Sequence, residues 1–150
     1  MPVACKTKTF KVKSGKIGIG DPCYSSASIL VEAKNGEWEV NVKKISSFGE
    51  RVSEVIVHHK DFGPSSKLST EEDSFGVDSG QAGVFDGDFN GTNSSFYSSC
   101  CDKTLSKKGY GFLDNGFVTS SGYGDGCYPC LIFKENGKAV CVQITFIETE

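Results

Sequence analysis

Three aspartates each sit in a glycine-rich turn, and their chemistry comes first. They are found in Ile19-Gly20-Asp21-Pro22, Val77-Asp78-Ser79-Gly80 and Tyr123-Gly124-Asp125-Gly126. An Asp side chain accepts backbone N–H bonds, and Gly supplies the positive φ that such turns need. Three separate turns of this kind would be ordinary local structure. If instead they meet at one end of the fold, Asp21, Asp78 and Asp125 form an acidic cluster. Such a cluster could hold a divalent cation or act as acid and base in metal-assisted hydrolysis. Tyr24, Tyr123, Tyr128, Phe85 and Ser79 lie in or beside the same turns, and exposed aromatics next to polar loops suit recognition of a ligand.

Other constellations are less coherent. Asp86-Gly87-Asp88-Phe89-Asn90-Gly91 matches the opening half of a calcium loop, with oxygens at alternate positions and Gly sixth. The twelfth position, where a bidentate acid belongs, is Tyr97, so the stretch reads first as a turn. Metal ligation by Asp86, Asp88 and Asn90 is the secondary reading. Cys127-Tyr128-Pro129-Cys130 is a C-x-x-C, but it precedes Leu131-Ile132-Phe133 and looks like the start of a strand. Strand alternation would send its two thiols to opposite faces, away from the helix N-terminus that activates redox cysteines. Adjacent Cys100 and Cys101 make a poor half of a zinc site. His58 and His59 are neighbours on a strand and cannot serve one site together from regular structure.

The elements that must position these residues are strands. Period-2 alternation dominates, and one short helix is expected near Ser98 to Lys107. Phe10 and Val12, then Ile17 and Ile19, predict an opening pair of strands turned at Ser14-Gly15. Asn35-Gly36 and Asn136-Gly137 each read as a hairpin turn between flanking strands. Arg51 to His58 and Tyr110 to Ser120 add further strands, and Lys138 to Ile147 is apolar enough on both faces to be central. Residues 61–73 are polar around Gly63-Pro64 and read as a flexible loop. Residues 86–108 read as irregular.

The chain has 150 residues, 37% hydrophobic, with a formal net charge of −3. That length fits one domain with a core of its own. The weakly acidic balance argues against a nucleic-acid partner, and no apolar run is long enough for a transmembrane helix. The opening Met1-Pro2-Val3-Ala4-Cys5-Lys6 lacks the apolar core of a secretory signal. A cytoplasmic setting with free thiols is therefore expected for the seven cysteines. The fold class expected is all-β: a single antiparallel sandwich or partly open barrel of about ten short strands.

The three turns also carry a resemblance. Gly20-Asp21-Pro22, Gly76-Val77-Asp78-Ser79-Gly80 and Ser121-Gly122-Tyr123-Gly124-Asp125-Gly126-Cys127-Tyr128-Pro129, in this order, resemble an uncharacterised family of bacterial and phage proteins. That family shows an Asp-Pro turn, a Val-Asp-Ser-Gly segment and a Ser-Gly-Tyr-Gly-Asp-Gly-x-Tyr-Pro segment before a C-terminal hairpin. The resemblance implies a β-rich domain and brings no activity with it. The functional expectation is a module binding a protein or small ligand through Asp21, Tyr24, Asp78, Ser79, Tyr123, Asp125 and Tyr128. It needs no cofactor; a divalent cation belongs to the hydrolase alternative.

Overall fold

A computed structural model describes residues 9–22, 29–46, 49–63, 68–87, 100–104, 109–113, 115–122 and 124–148. Its strands are β1 (Thr9–Val12), β2 (Lys16–Gly20), β3 (Ile29–Glu32), β4 (Gly36–Ser46), β5 (Glu50–His59), β6 (Leu68–Val77), β7 (Gln81–Asp86), β8 (Tyr110–Leu113), β9 (Gly116–Ser120), β10 (Gly126–Glu135) and β11 (Lys138–Thr145). One short helix, α1, covers residues 100–104. The strands form a six-stranded sheet in the order β1-β4-β5-β11-β10-β6 and a five-stranded sheet in the order β3-β2-β7-β9-β8. Every neighbouring pair is antiparallel. The architecture is an all-β sandwich, not a closed barrel. Among the described residues no helix is long and apolar enough to cross a membrane.

The core lies between the sheets. Phe10, Trp38, Val55, Val57, Ile132, Val142 and Ile144 from one sheet meet Ile17, Ile19, Val84 and Phe117 from the other. Each of these side chains contributes on the order of 1.5–3 kcal/mol by leaving water. Crowding within the five-stranded sheet also constrains backbone. A Cβ on Gly83 would lie 2.4 Å from the Phe117 carbonyl oxygen and from the Phe85 ring, so β7 carries no side chain there. As expected, β11 is central, lying between β5 and β10.

Two expected hairpins are instead corners between layers. β1 and β2 belong to different sheets, and so do β3 and β4. The Ser14-Gly15 and Asn35-Gly36 turns carry the chain across the sandwich edge and hold each other. Gly15 N–H donates to Asn35 Oδ1 at 2.7 Å, and Ala33 N–H donates to Gly15 O at 2.9 Å. The physical reason is burial: Gly36 has φ 131°, and its missing Cβ leaves room for His59 Nε2, which would stand 2.6 Å away. Asn136-Gly137 does form the hairpin expected of it, with both residues at positive φ (55° and 79°) between paired β10 and β11.

The expected loop at 61–73 is corrected in its second half, because residues 68–73 belong to β6. Ser69 to Ser74 are exposed on both faces, and only Phe75 and Val77 reach the core. A strand uncovered on both sides needs no apolar alternation, so its sequence resembles a loop. Of the stretch expected to be irregular, 88–99 and 105–108 lie outside the described residues.

Candidate functional site

The three aspartate turns meet, but not as a carboxylate cluster. Asp21 follows the end of β2 and is 1% exposed. Its Oδ2 accepts the N–H groups of Asp78 (2.7 Å) and Ser79 (2.8 Å), and its Oδ1 accepts the Ser79 hydroxyl at 2.6 Å. The first motif thus caps the second from below. The second joins the third through the backbone, where Ser121 N–H donates to Gly80 O at 3.2 Å.

Within the third motif the turn closes on itself. Ser121 Oγ donates to Gly124 O (2.8 Å), and Gly124 N–H donates back to Ser121 O (3.0 Å). The Tyr128 hydroxyl donates to both carbonyls, Ser121 O and Gly124 O. Its ring packs edge-on against Phe146 at 5.1 Å. Partial burial pushes the Tyr128 phenol up from its ordinary value, with the Ser121 side chain opposing this and the Asp125 charge adding to it. Arg51, reaching across from β5, donates to Gly122 O at 3.2 Å.

The turn residues divide into those facing in and those facing out. Asp21, Ser79 and Tyr128 are engaged with the scaffold, whereas Asp78 and Asp125 are exposed. Gly126 pairs with Val77, so Asp125 and Asp78 leave the same end of the β6–β10 ladder. Phe85, expected as an exposed aromatic, is fully buried with Cys100 and Val118 in a second small core. It sits on β7, where five of six residues are buried, and an apolar ring there belongs inside. Tyr24 and Tyr123 lie outside the described residues.

Among the described residues no group of three or more His, Cys, Asp or Glu is placed to hold a metal ion. Asp21 shows why for the first candidate set, since both its oxygens already accept bonds from the second turn. Asp86 is likewise engaged: its Oδ1 accepts the N–H groups of Lys13 and Ser14 (3.1 Å each) and the Ser14 hydroxyl (2.7 Å), fixing the β1–β2 corner. Asp88 and Asn90 lie outside the described residues.

The C-x-x-C lies on one regular strand. Cys127 is exposed and Cys130 is 3% exposed. They pair with Gly76 and Asp73 of β6 three registers apart, so alternation directs them to opposite faces, as expected. Pro129 is accommodated because the β10–β11 ladder begins only at Cys130. Burial pushes the Cys130 thiol up to about 12, with the Asp73 charge adding to the effect. It is no activated nucleophile.

Two positioning residues carried no sequence signal. Gln81 is 4% exposed and clamps α1 to β7: its Nε2 donates to Cys101 Sγ (3.4 Å), and its Oε1 accepts the Thr104 hydroxyl (3.0 Å). His59, the second of the two neighbouring strand histidines, is 3% exposed, with Nδ1 accepting Asp61 N–H at 3.0 Å. That assignment makes Nε2 the donor to Asn35 O, 2.9 Å away. A ring so placed is a corner brace.

The adjacent strands β6, β10 and β11 line an open concavity of about 310 Å³ that includes Glu72, Asp73, Pro129, Leu131, Gln143 and Thr145. No protein family, curated relative or solved structure matches the chain.

Proposed function

We propose that the chain is a binding module for a protein or small-molecule ligand, and that the recognition end is the one built by its three Asp–Gly turns. One observation carries this reading. Asp21 is sunk beneath the second turn and bonded to it, while Asp78 and Asp125 stand exposed at the same end of one ladder. Carboxylates displayed on turns whose backbones are already fixed bind with little ordering cost. Their partners would be cationic groups or clustered N–H donors. The metal-assisted hydrolase reading would require Asp21 to release three bonds at 2.6–2.8 Å, and it is not adopted. A cytoplasmic setting agrees with free thiols at Cys100, Cys101, Cys127, Cys130 and Cys141.

The test is a screen of cationic fragments and peptides by two-dimensional amide spectra of the native protein and of an Asp78→Asn/Asp125→Asn variant. Both carboxylates are exposed, so the variant retains the fold. Hits should move the amides of Asp78, Gly80, Asp125 and Gly126, and should weaken at least about tenfold in the variant. Hits that leave these amides unmoved and bind the variant equally well would overturn the proposal.

A further inference from the structure

We infer that the free edge of β6 is a docking strand for an extended basic peptide, which adds to the six-stranded sheet and runs towards the Asp78–Asp125 end. The inference rests on the turn-end reading and names the class of partner. Among the described residues, all ten positions of β6 pair with β10 and none with another strand, so its second side presents an unused row of backbone donors and acceptors. An open edge of this length is a template for a further strand.

Charge selects the occupant. Glu71, Glu72 and Asp73 stand together in the exposed part of β6, and of these only Glu71 has an ion-pair partner among the described residues, Lys134 at 3.0 Å. Asp78 and Asp125 continue the acidic row at the ladder's end. A second copy of the chain is a poor fit, because two β6 strands paired antiparallel about Glu72 and Asp73 would set acid against acid. A strand with Lys or Arg at alternate positions meets the opposite field. The concavity beside Glu72 and Asp73 has Pro129 and Leu131 in its lining. It would take the methylene stem of such a side chain while Glu72, opposite Leu131 on the same face, meets its charged head. In strand addition the main chain supplies affinity and pockets of this kind supply selection.

The experiment uses the whole protein and two short probes, a peptide alternating Lys with Thr and one alternating Glu with Thr. The Lys peptide should bind at least about tenfold tighter than the Glu peptide and weaken as salt is raised. It should also slow hydrogen exchange at β6 amides. Glu72→Lys should weaken it about tenfold, whereas Glu32→Lys, the same charge change on exposed β3, should leave it within about twofold. Equal or absent binding of the two peptides overturns the docking strand, as does a β6-mediated dimer in sedimentation. Binding that perturbs Asp78, Gly80 and Asp125 without β6 also overturns it while leaving the turn-end reading intact.

Discussion

Both carboxylate oxygens of Asp21 are bonded to Ser79, fifty-eight positions away: Oδ2 accepts its N–H at 2.8 Å and Oδ1 accepts its hydroxyl at 2.6 Å. This contact converts two distant turns into one unit, and it separates the aspartates that hold the fold from those that face a ligand. Asp21→Ala should therefore cost about 3 kcal/mol in urea unfolding, because it strands the N–H groups of Asp78 and Ser79. Asp78→Asn and Asp125→Asn, at exposed positions, should stay within about 0.5 kcal/mol. Equal costs at all three positions would contradict the division.

The inter-sheet corner makes its own prediction. His59 should carry a proton on Nε2 while Nδ1 accepts the Asp61 N–H, an arrangement visible in long-range ring-nitrogen NMR spectra. Gly36→Ala, which brings a methyl to 2.6 Å from that nitrogen at φ 131°, should destabilise by about 2 kcal/mol or more. A mobile ring would be inconsistent with the brace.

The buried thiols predict a pH dependence with a definite sign. Cys100, Cys130 and Cys141 are each pushed up to about 12 from 9.0, chiefly by burial. The unfolded chain releases these protons first, so their contribution is fully present below pH 9.0 and is lost as pH rises towards 12. Each thiol should steepen the fall in stability by up to about 1.4 kcal/mol per pH unit across that window. Replacing Cys141 by Val should remove one such share in urea titrations at successive alkaline pH values. An unchanged slope would contradict its burial.

The same burial orders reactivity. On brief alkylation of the native protein, peptide mapping should find Cys127 modified and Cys130 protected until the chain unfolds. Comparable rates at the two would mean that β10 opens locally.

Much of the fold was legible because it rests on alternation. Val140, Val142 and Ile144 mark β11, and Asn136-Gly137 marks its hairpin. What alternation cannot say is which sheet a strand joins. Asn35-Gly36 has the same dipeptide as Asn136-Gly137, yet its partner is the buried His59, a tertiary contact with no local trace. β6 was hidden for the opposite reason, since its exposed residues face no core on either side. The turns that matter were visible as Asp–Gly motifs. That Asp21 caps from within while Asp78 and Asp125 face outward depends on burial, which the motifs alone do not encode. Gln81 and Arg51 act through bonds to residues distant in sequence and had no pattern to betray them.

The three turns form one fixed platform. Amide hydrogen exchange at Asp78 and Ser79, in native protein and in Asp21→Asn, tests it most directly. Strong protection in the native protein, reduced in the variant while β11 amides keep theirs, is the predicted result. Rapid exchange at both amides in the native protein would contradict the platform and the recognition end built on it.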